Sequence, residues 1–237
     1  MATLKAKLGS TWMDVHEIRQ ALTKARSNRE TQKKHLSNLQ GKLEQRQREI
    51  ESSLSGLDQR SQNLTAQAVS GYRNELRAES ASARMAFVRE AGKLREALQS
   101  ASAFYQSSPQ MLARYTLGSE RRSRLIQQIA LSGPAELASF AELAASTGDK
   151  DLAAALCSRA YDMEPGKRPF DATELADAIL GEEFREIQST ITEIDRIAVE
   201  AVNDDTAFET GKRNPGRDLH LAMLQKRESG EQEAVSA

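Results

Sequence analysis

Residues 15–64 read VHEIRQALTKARSNRETQKKHLSNLQGKLEQRQREIESSLSGLDQRSQNL. A seven-residue repeat runs through the stretch. Val15, Leu22, Arg29, Leu36, Leu43, Ile50, Leu57 and Leu64 share one heptad position, and all but Arg29 are aliphatic. Three residues further on, Ile18, Ala25, Gln32, Leu39, Arg46 and Ser53 share a second position, which begins apolar and turns polar. Apolar residues spaced by threes and fours mark a helix whose stripe packs on another helix. One row is firm and the other soft, so the predicted seam is narrow.

Beyond Leu64 the apolar residues fall at Ala68, Tyr72, Leu76, Ala83, Phe87, Ala91, Leu94, Leu98, Ala101 and Tyr105. The four-residue step between the two registers is a stutter, which locally unwinds a supercoil. Gly56 and Gly71 flank it, each costing about 1 kcal/mol relative to Ala inside a helix, so a weak point or bend is expected there. Ser107-Ser108-Pro109 ends the helix. Unbroken from 13 to 106, it is on the order of 140 Å long, too long for a globule of this size to bury against itself.

The stripe therefore needs a second helix, from a folded-back half or from another copy. Gly56 and Gly71 are possible turn sites, but neither sits in a Pro/Asn/Asp cluster, so association between copies is the favoured reading. Its interface is Trp12, Val15, Ile18, Leu22, Leu36, Leu39, Leu43, Ile50, Leu57 and Leu64. Trp12, the sole tryptophan, is the expected anchor. The amphipathic pattern of Leu4, Leu8, Trp12, Val15, Ile18 and Leu22 also suits a membrane surface; the opening turns of a coil are the preferred reading.

The second half reads as shorter helices. One is expected over 110–131, interrupted at Gly118-Ser119, and another over 134–146 with Pro134 in its first turn. Asp149 is placed to cap a helix over 150–163. Asp171 and Glu174 form a capping-box pattern that opens a long helix to about Asn203, with Leu175, Ile179, Phe184, Ile187, Ile191, Ile194, Ile197 and Val202 as its stripe. Residues 203–217 read as a loop, 218–228 as a short helix, and the remainder as a frayed polar tail. No segment has the period of a strand. The fold class is all-α: a long N-terminal coiled-coil-type helix (1–108), a small helical bundle (109–203), and a loop, short helix and acidic tail (204–237).

Composition agrees. Hydrophobic residues make up 39% of the 237 and aromatic residues 5%, with 28% charged; ordinary globular domains run nearer about 45–50% apolar. The net charge of −1 hides an asymmetry. Residues 1–130 carry 22 basic and 12 acidic residues, a net of +10; residues 131–237 carry 11 and 22, a net of −11. Such a chain attracts copies of itself head to tail, or holds its basic half against a polyanion. The candidates for polyanion contact are Lys24, Arg26, Arg29, Lys33 and Lys34, with Arg121, Arg122 and Arg124. Stacking aromatics are lacking, so the contact expected is sequence-independent and salt-sensitive.

Little points to catalysis. A single cysteine, Cys157, excludes an internal disulfide and a multi-cysteine zinc site. It lies among Ala153, Ala154 and Ala160 and reads as a small buried hydrophobe. His16, His35 and His220 have no second histidine at ligand spacing. Walker, dinucleotide and nucleophile-elbow motifs are lacking. Acidic pairs such as Asp149/Asp151, Glu182/Glu183 and Asp204/Asp205 come with no sugar-binding aromatics. No cofactor, metal or enzymatic activity is expected. No run of apolar residues is long enough to span a membrane and no secretory leader is visible, so synthesis in the cytoplasm is expected.

Residues 134–165 resemble a single tetratricopeptide-type hairpin: Leu137, Phe140, Ala141 and Ala144 on the first helix, Gly148 at the turn, then Ala153, Cys157, Ala160 and Pro165. The family's aromatics are replaced at Leu137, Ala144 and Cys157, and neighbouring segments do not repeat the pattern, so an ordinary antiparallel helix pair is expected. In general character, helical and rich in Ala, Ser, Gln and Arg with few aromatics, the chain resembles internal, scaffolding or genome-ejection proteins of tailed bacteriophage virions. That resemblance implies packing in many copies with other structural proteins of a virion. The expected function is a non-enzymatic assembly protein that forms homo-oligomers through its N-terminal helix. The alternatives are a cytoplasmic bacterial coiled-coil adaptor, with residues 134–203 as the partner-binding bundle, and a sequence-independent nucleic-acid-associating protein.

Overall fold

In the computed structural model the described residues are 13–53 and 59–236. They form eight α-helices and no strand: α1 (Val15–Ser53), α2 (Gln59–Ser102), α3 (Ser108–Tyr115), α4 (Glu120–Ile129), α5 (Pro134–Thr147), α6 (Lys150–Asp162), α7 (Ala172–Thr210) and α8 (Pro215–Ser236), with a 3-10 turn at Pro165–Lys167. The all-α expectation holds. The continuous rod over 13–106 does not, because it is two helices running in opposite directions. As numbers rise along α1, partner numbers fall along α2: Lys24 pairs with Glu90, the Asn28 side chain donates to the Phe87 carbonyl at 3.1 Å, and Leu39 and Leu43 pack with Leu76 and Tyr72. α1 ends at Ser53 and α2 begins at Gln59. Gly56, one suggested turn site, lies outside the described residues; Gly71, the other, sits inside α2.

The chain divides into two compact units. The first comprises Met1–Ile18, Leu98–Ile191 and Gly230–Ala237; the second comprises Arg19–Ala97 and Thr192–Ser229. They interleave along the sequence, whereas the segments expected were consecutive.

In the first unit α6 is the central helix. Leu152, Ala153, Ala154, Ala155, Leu156 and Cys157 are all buried, because α3, α4 and α5 pack around it. Alanine lets those helices approach closely. Asp149 accepts a hydrogen bond from the Leu152 amide at 3.1 Å as the α6 N-cap. Gly148 closes α5 in the left-handed region at φ 67°, where the hairpin pattern placed its turn. Arg122 ties α4 back to its neighbours by donating to the Ala113 carbonyl, Thr116 Oγ1 and Ser158 Oγ.

In the second unit residues 192–210 of α7 lie along both helices of the α1–α2 hairpin, parallel to α1 and antiparallel to α2. Glu193 meets Arg26 and Ala201 meets Gln32 on one side; Asp195 meets Arg95 and Asp205 meets Arg84 on the other. Between these flanks Ala198 and Ala201 pack on Ala91, with Ile194 and Ile197 buried. The start of α1, which belongs to the first unit, is a reciprocal capping box: the Asp14 amide donates to Glu17 and the Glu17 amide to Asp14, at 2.9 and 2.8 Å.

Two boundaries differ from expectation. α7 runs to Thr210, because Asn203, Asp204 and Asp205, read as loop residues, are held by partners in helical geometry. α8 begins at Pro215, where Asn214 Oδ1 accepts from the Gly216 and Arg217 amides, and it runs to Ser236 across the segment expected to fray.

Candidate functional site

The buried polar residues of the second unit gather around residues 200–218. Arg29 occupies a heptad position of α1 and is 5% exposed. Its guanidinium donates to Gln32 Oε1 at 2.9 Å and to Asp204, and its Nε lies 3.5 Å from Glu200 without a hydrogen bond. Gln32, one turn on, donates to the Ala201 carbonyl at 2.9 Å. Two of the four polar residues in the heptad rows of α1, Arg29 and Gln32, are thus the ones that grip α7.

Arg84 of α2, 2% exposed, holds the other side. It donates to Asp205 at 2.7 Å, to Glu209, to Ser80 Oγ at 3.0 Å and to the Arg77 carbonyl at 3.2 Å, and it lies over the Phe208 ring at 4.8 Å. Arg77 donates twice to the Phe208 carbonyl, at 3.2 and 3.0 Å. At the end of α7, Gly211 turns at φ 77° and the next segment folds back. Arg213 donates to Asp204 and Asp218, and Arg217 donates to Thr206 Oγ1 at 2.8 Å. Buried Asn203 donates to Asp218 and accepts from the Asn214 amide. The hydrogen bond to Asp218 raises the pKa of Arg213 above its ordinary value, and the Glu193 bond does the same for Arg26. Both stay cationic across the physiological range.

This layer pairs part of the charge difference between the two halves of the sequence. The basic α1–α2 hairpin and the acidic second half of α7 neutralise one another inside one unit. Of the eight polyanion candidates, Lys24 pairs with Glu90, Arg26 with Glu193, Arg29 with Asp204, Arg121 with Asp149 and Arg124 with Glu120, while Arg122 bonds to carbonyl and hydroxyl oxygens. Lys33 and Lys34 are exposed. The Lys24 contact holds the Glu90 carboxyl below its usual range.

The proposed oligomer interface is distributed differently from expectation. Val15, Ile18, Leu39 and Leu43 are buried and Leu22, Leu36 and Ile50 half-buried, against helices of the same chain. Leu64 is 52% exposed. Trp12 and Leu57 lie outside the described residues.

Cys157 is buried and donates to the Ala172 carbonyl, and burial pushes its thiol up to about 12; a thiol protonated at neutral pH is a poor nucleophile. Asp149 and Asp151 both meet Arg121. Among the described residues no group of three His, Cys, Asp or Glu is placed to hold a metal ion, and no helix is long and apolar enough to cross a membrane.

Fold and site together define an all-helical bundle with an arginine–carboxylate layer in its second unit. Comparison with protein-family models, with curated proteins and with solved structures finds no match for the chain.

Proposed function

We propose that the protein is a non-enzymatic structural or adaptor protein whose contacts are made by its first unit. The observation behind this reading is the large apolar side chains left at that unit's surface, two of them more exposed than Leu219, Met223, Met85 and Leu64 of the second unit. Leu131 is 97% exposed and Leu117 67%, and Leu143 and Tyr161 are each more than half exposed, although hydrophobic residues are scarce in the chain. Exposed apolar side chains of this size mark contact sites when they lie together. Asp149, Asp151, Asp204 and Asp205 are engaged in a helix cap and ion pairs. Val15, Ile18, Leu39 and Leu43 of the α1 seam are buried within the chain, which favours an assembly contact elsewhere. A place among the internal, scaffolding or ejection proteins of a phage virion rests on the compositional resemblance.

Self-association and adaptor binding are separated by multi-angle light scattering over two decades of concentration. Growth of the mass with concentration, abolished in a Leu117→Ser/Leu131→Ser/Leu143→Ser variant, supports assembly of copies. A constant monomer mass in the parent protein removes self-assembly and leaves the adaptor reading. Turnover of any substrate that is lost on Asp149→Asn/Asp151→Asn substitution would overturn the non-enzymatic reading altogether.

A further inference from the structure

Five arginines from three segments converge on less than two turns of one helix. Arg29 from α1, Arg77 and Arg84 from α2, and Arg213 and Arg217 from the α7–α8 junction all bond to residues 204–209. Guanidinium groups in this density suit phosphate as well as carboxylate, since both present paired oxygens to a planar fork of donors. Here Asp204, Asp205, Glu209, the Phe208 carbonyl and the Thr206 hydroxyl take the place that phosphate oxygens would fill.

The helix is anchored unevenly. Residues 192–201 combine ion pairs of Glu193 with Arg26 and of Asp195 with Arg95 with extensive apolar burial, Ile194, Ile197, Ala198 and Ala201 all being buried. Over residues 204–210 the only large apolar side chain is Phe208, which is half-buried, and the remaining contacts are polar or ionic. Asn203 marks the change, buried and bonded on both sides. Gly211 ends the helix immediately afterwards. A segment held by charge and bounded by a helix break opens more readily than one held by packing.

We infer that residues 204–210 are a charge-clasped strap over a basic face of the α1–α2 hairpin, and that the phosphate backbone of a nucleic acid takes the carboxylates' places when the strap lifts. The inference is independent of the adaptor reading, which concerns the first unit. It also accounts for a basic half whose arginines are occupied at rest: nucleic acid must compete with the protein's own acidic residues.

The test compares two triple variants with the same change in net charge. Asp204→Asn/Asp205→Asn/Glu209→Gln removes the strap's charges. Glu44→Gln/Glu49→Gln/Glu51→Gln removes three exposed charges from the same unit. Affinity for a labelled single-stranded oligonucleotide is read by fluorescence anisotropy across a salt series. The strap variant should bind about tenfold more tightly than the control, with a salt slope steeper by about 2, the increment for three further phosphates neutralised on a single strand. Equal affinities and slopes would overturn the inference, because net charge alone would then explain the binding. Should the strap variant lose its helicity, hydrogen exchange of the parent protein decides. Excess oligonucleotide should speed exchange over 204–210 while 19–50 stays protected; unchanged exchange at saturating oligonucleotide, or no binding at low salt, would overturn it.

Discussion

Replacing Arg84 with Met tests whether the ion layer holds α7 or merely decorates it. Met fills much of the same volume, so the change removes charge and donors without opening a large cavity. Three consequences follow from the contacts. Asp205 loses its 2.7 Å partner while its side chain is only 19% exposed. Breaking a buried pair from one side costs about 3–5 kcal/mol, and partial access of Asp205 to water puts the loss near the lower end. Glu209 is 43% exposed and resolvates, so its share is about 0–1 kcal/mol, as for a surface pair. The cation over the Phe208 ring adds about 0.5–1 kcal/mol. A total of about 3.5–5 kcal/mol is a large part of the ~5–15 kcal/mol that holds a domain together.

The assay is urea unfolding at pH 7 followed by helical circular dichroism, carried out as a double-mutant cycle with Asp205→Asn. The single Asp205→Asn change leaves Arg84 bonded to Glu209, Ser80 and the Arg77 carbonyl and should cost less than Arg84→Met. In the Arg84→Met background the same change should be nearly neutral or stabilising, because it removes an uncompensated charge. A coupling of about 2 kcal/mol is expected, within the range for residues in one network. A loss below about 0.5 kcal/mol for Arg84→Met, or a coupling indistinguishable from zero, would mean that the α7 seam stands on Ile194, Ile197 and its alanines alone.

Leu43→Asp should destabilise the second unit by about 3 kcal/mol or more, since it buries a carboxylate beside Leu39 and Leu76, and light scattering should show the mass unchanged. Ala155→Leu should overpack α6, where Ala155 is fully buried, and cost about 1–3 kcal/mol by thermal unfolding. Asp171 accepts from the Thr173 and Glu174 amides, which holds its carboxyl below the usual range. Its stabilisation is present above the unfolded-state pKa of about 4 and is lost as pH falls through the lower folded value. The melting-temperature gap between parent and Asp171→Ala should therefore be full at pH 6 and narrow below about pH 4.

The helical class was legible because the spacing of threes and fours survives any arrangement of partners. Caps were legible where a side chain and its amide are neighbours in sequence, as at Asp149 and Asp171. The Asn214-Pro215 start of α8 followed the same rule but was hidden by the turn-forming residues around it. The fold-back was not legible. A stripe needing a second helix looks alike whether that helix comes from the same chain or from another, and neither suggested glycine sits in a Pro/Asn/Asp cluster. The ion layer was missed because Arg29 and Gln32 read as blemishes in an apolar seam. Only the three-dimensional pairing shows that Arg29 meets Asp204 and that Gln32 meets the Ala201 carbonyl, and Asp204 and Asp205 looked like a loop because their partners Arg29 and Arg84 lie more than a hundred residues away.

That complementarity also constrains how a chain with so few hydrophobic residues selects one register. An alanine-lined seam such as Ala91, Ala198 and Ala201 tolerates sliding, since every alanine fits the place of every other. Slipping α7 by one turn along the hairpin would put Glu200 and Ala201, or Phe208 and Glu209, in the places of Asp204 and Asp205, leaving Arg84 or Arg29, both nearly buried, without its counter-charge. The penalty for an unpaired buried charge exceeds what a shifted alanine contact loses. Small residues therefore set how closely the helices approach, and the arginines set where along their length they stop. This division of labour explains how two polar interruptions of the heptad pattern can be essential to a fold that the pattern alone leaves ambiguous.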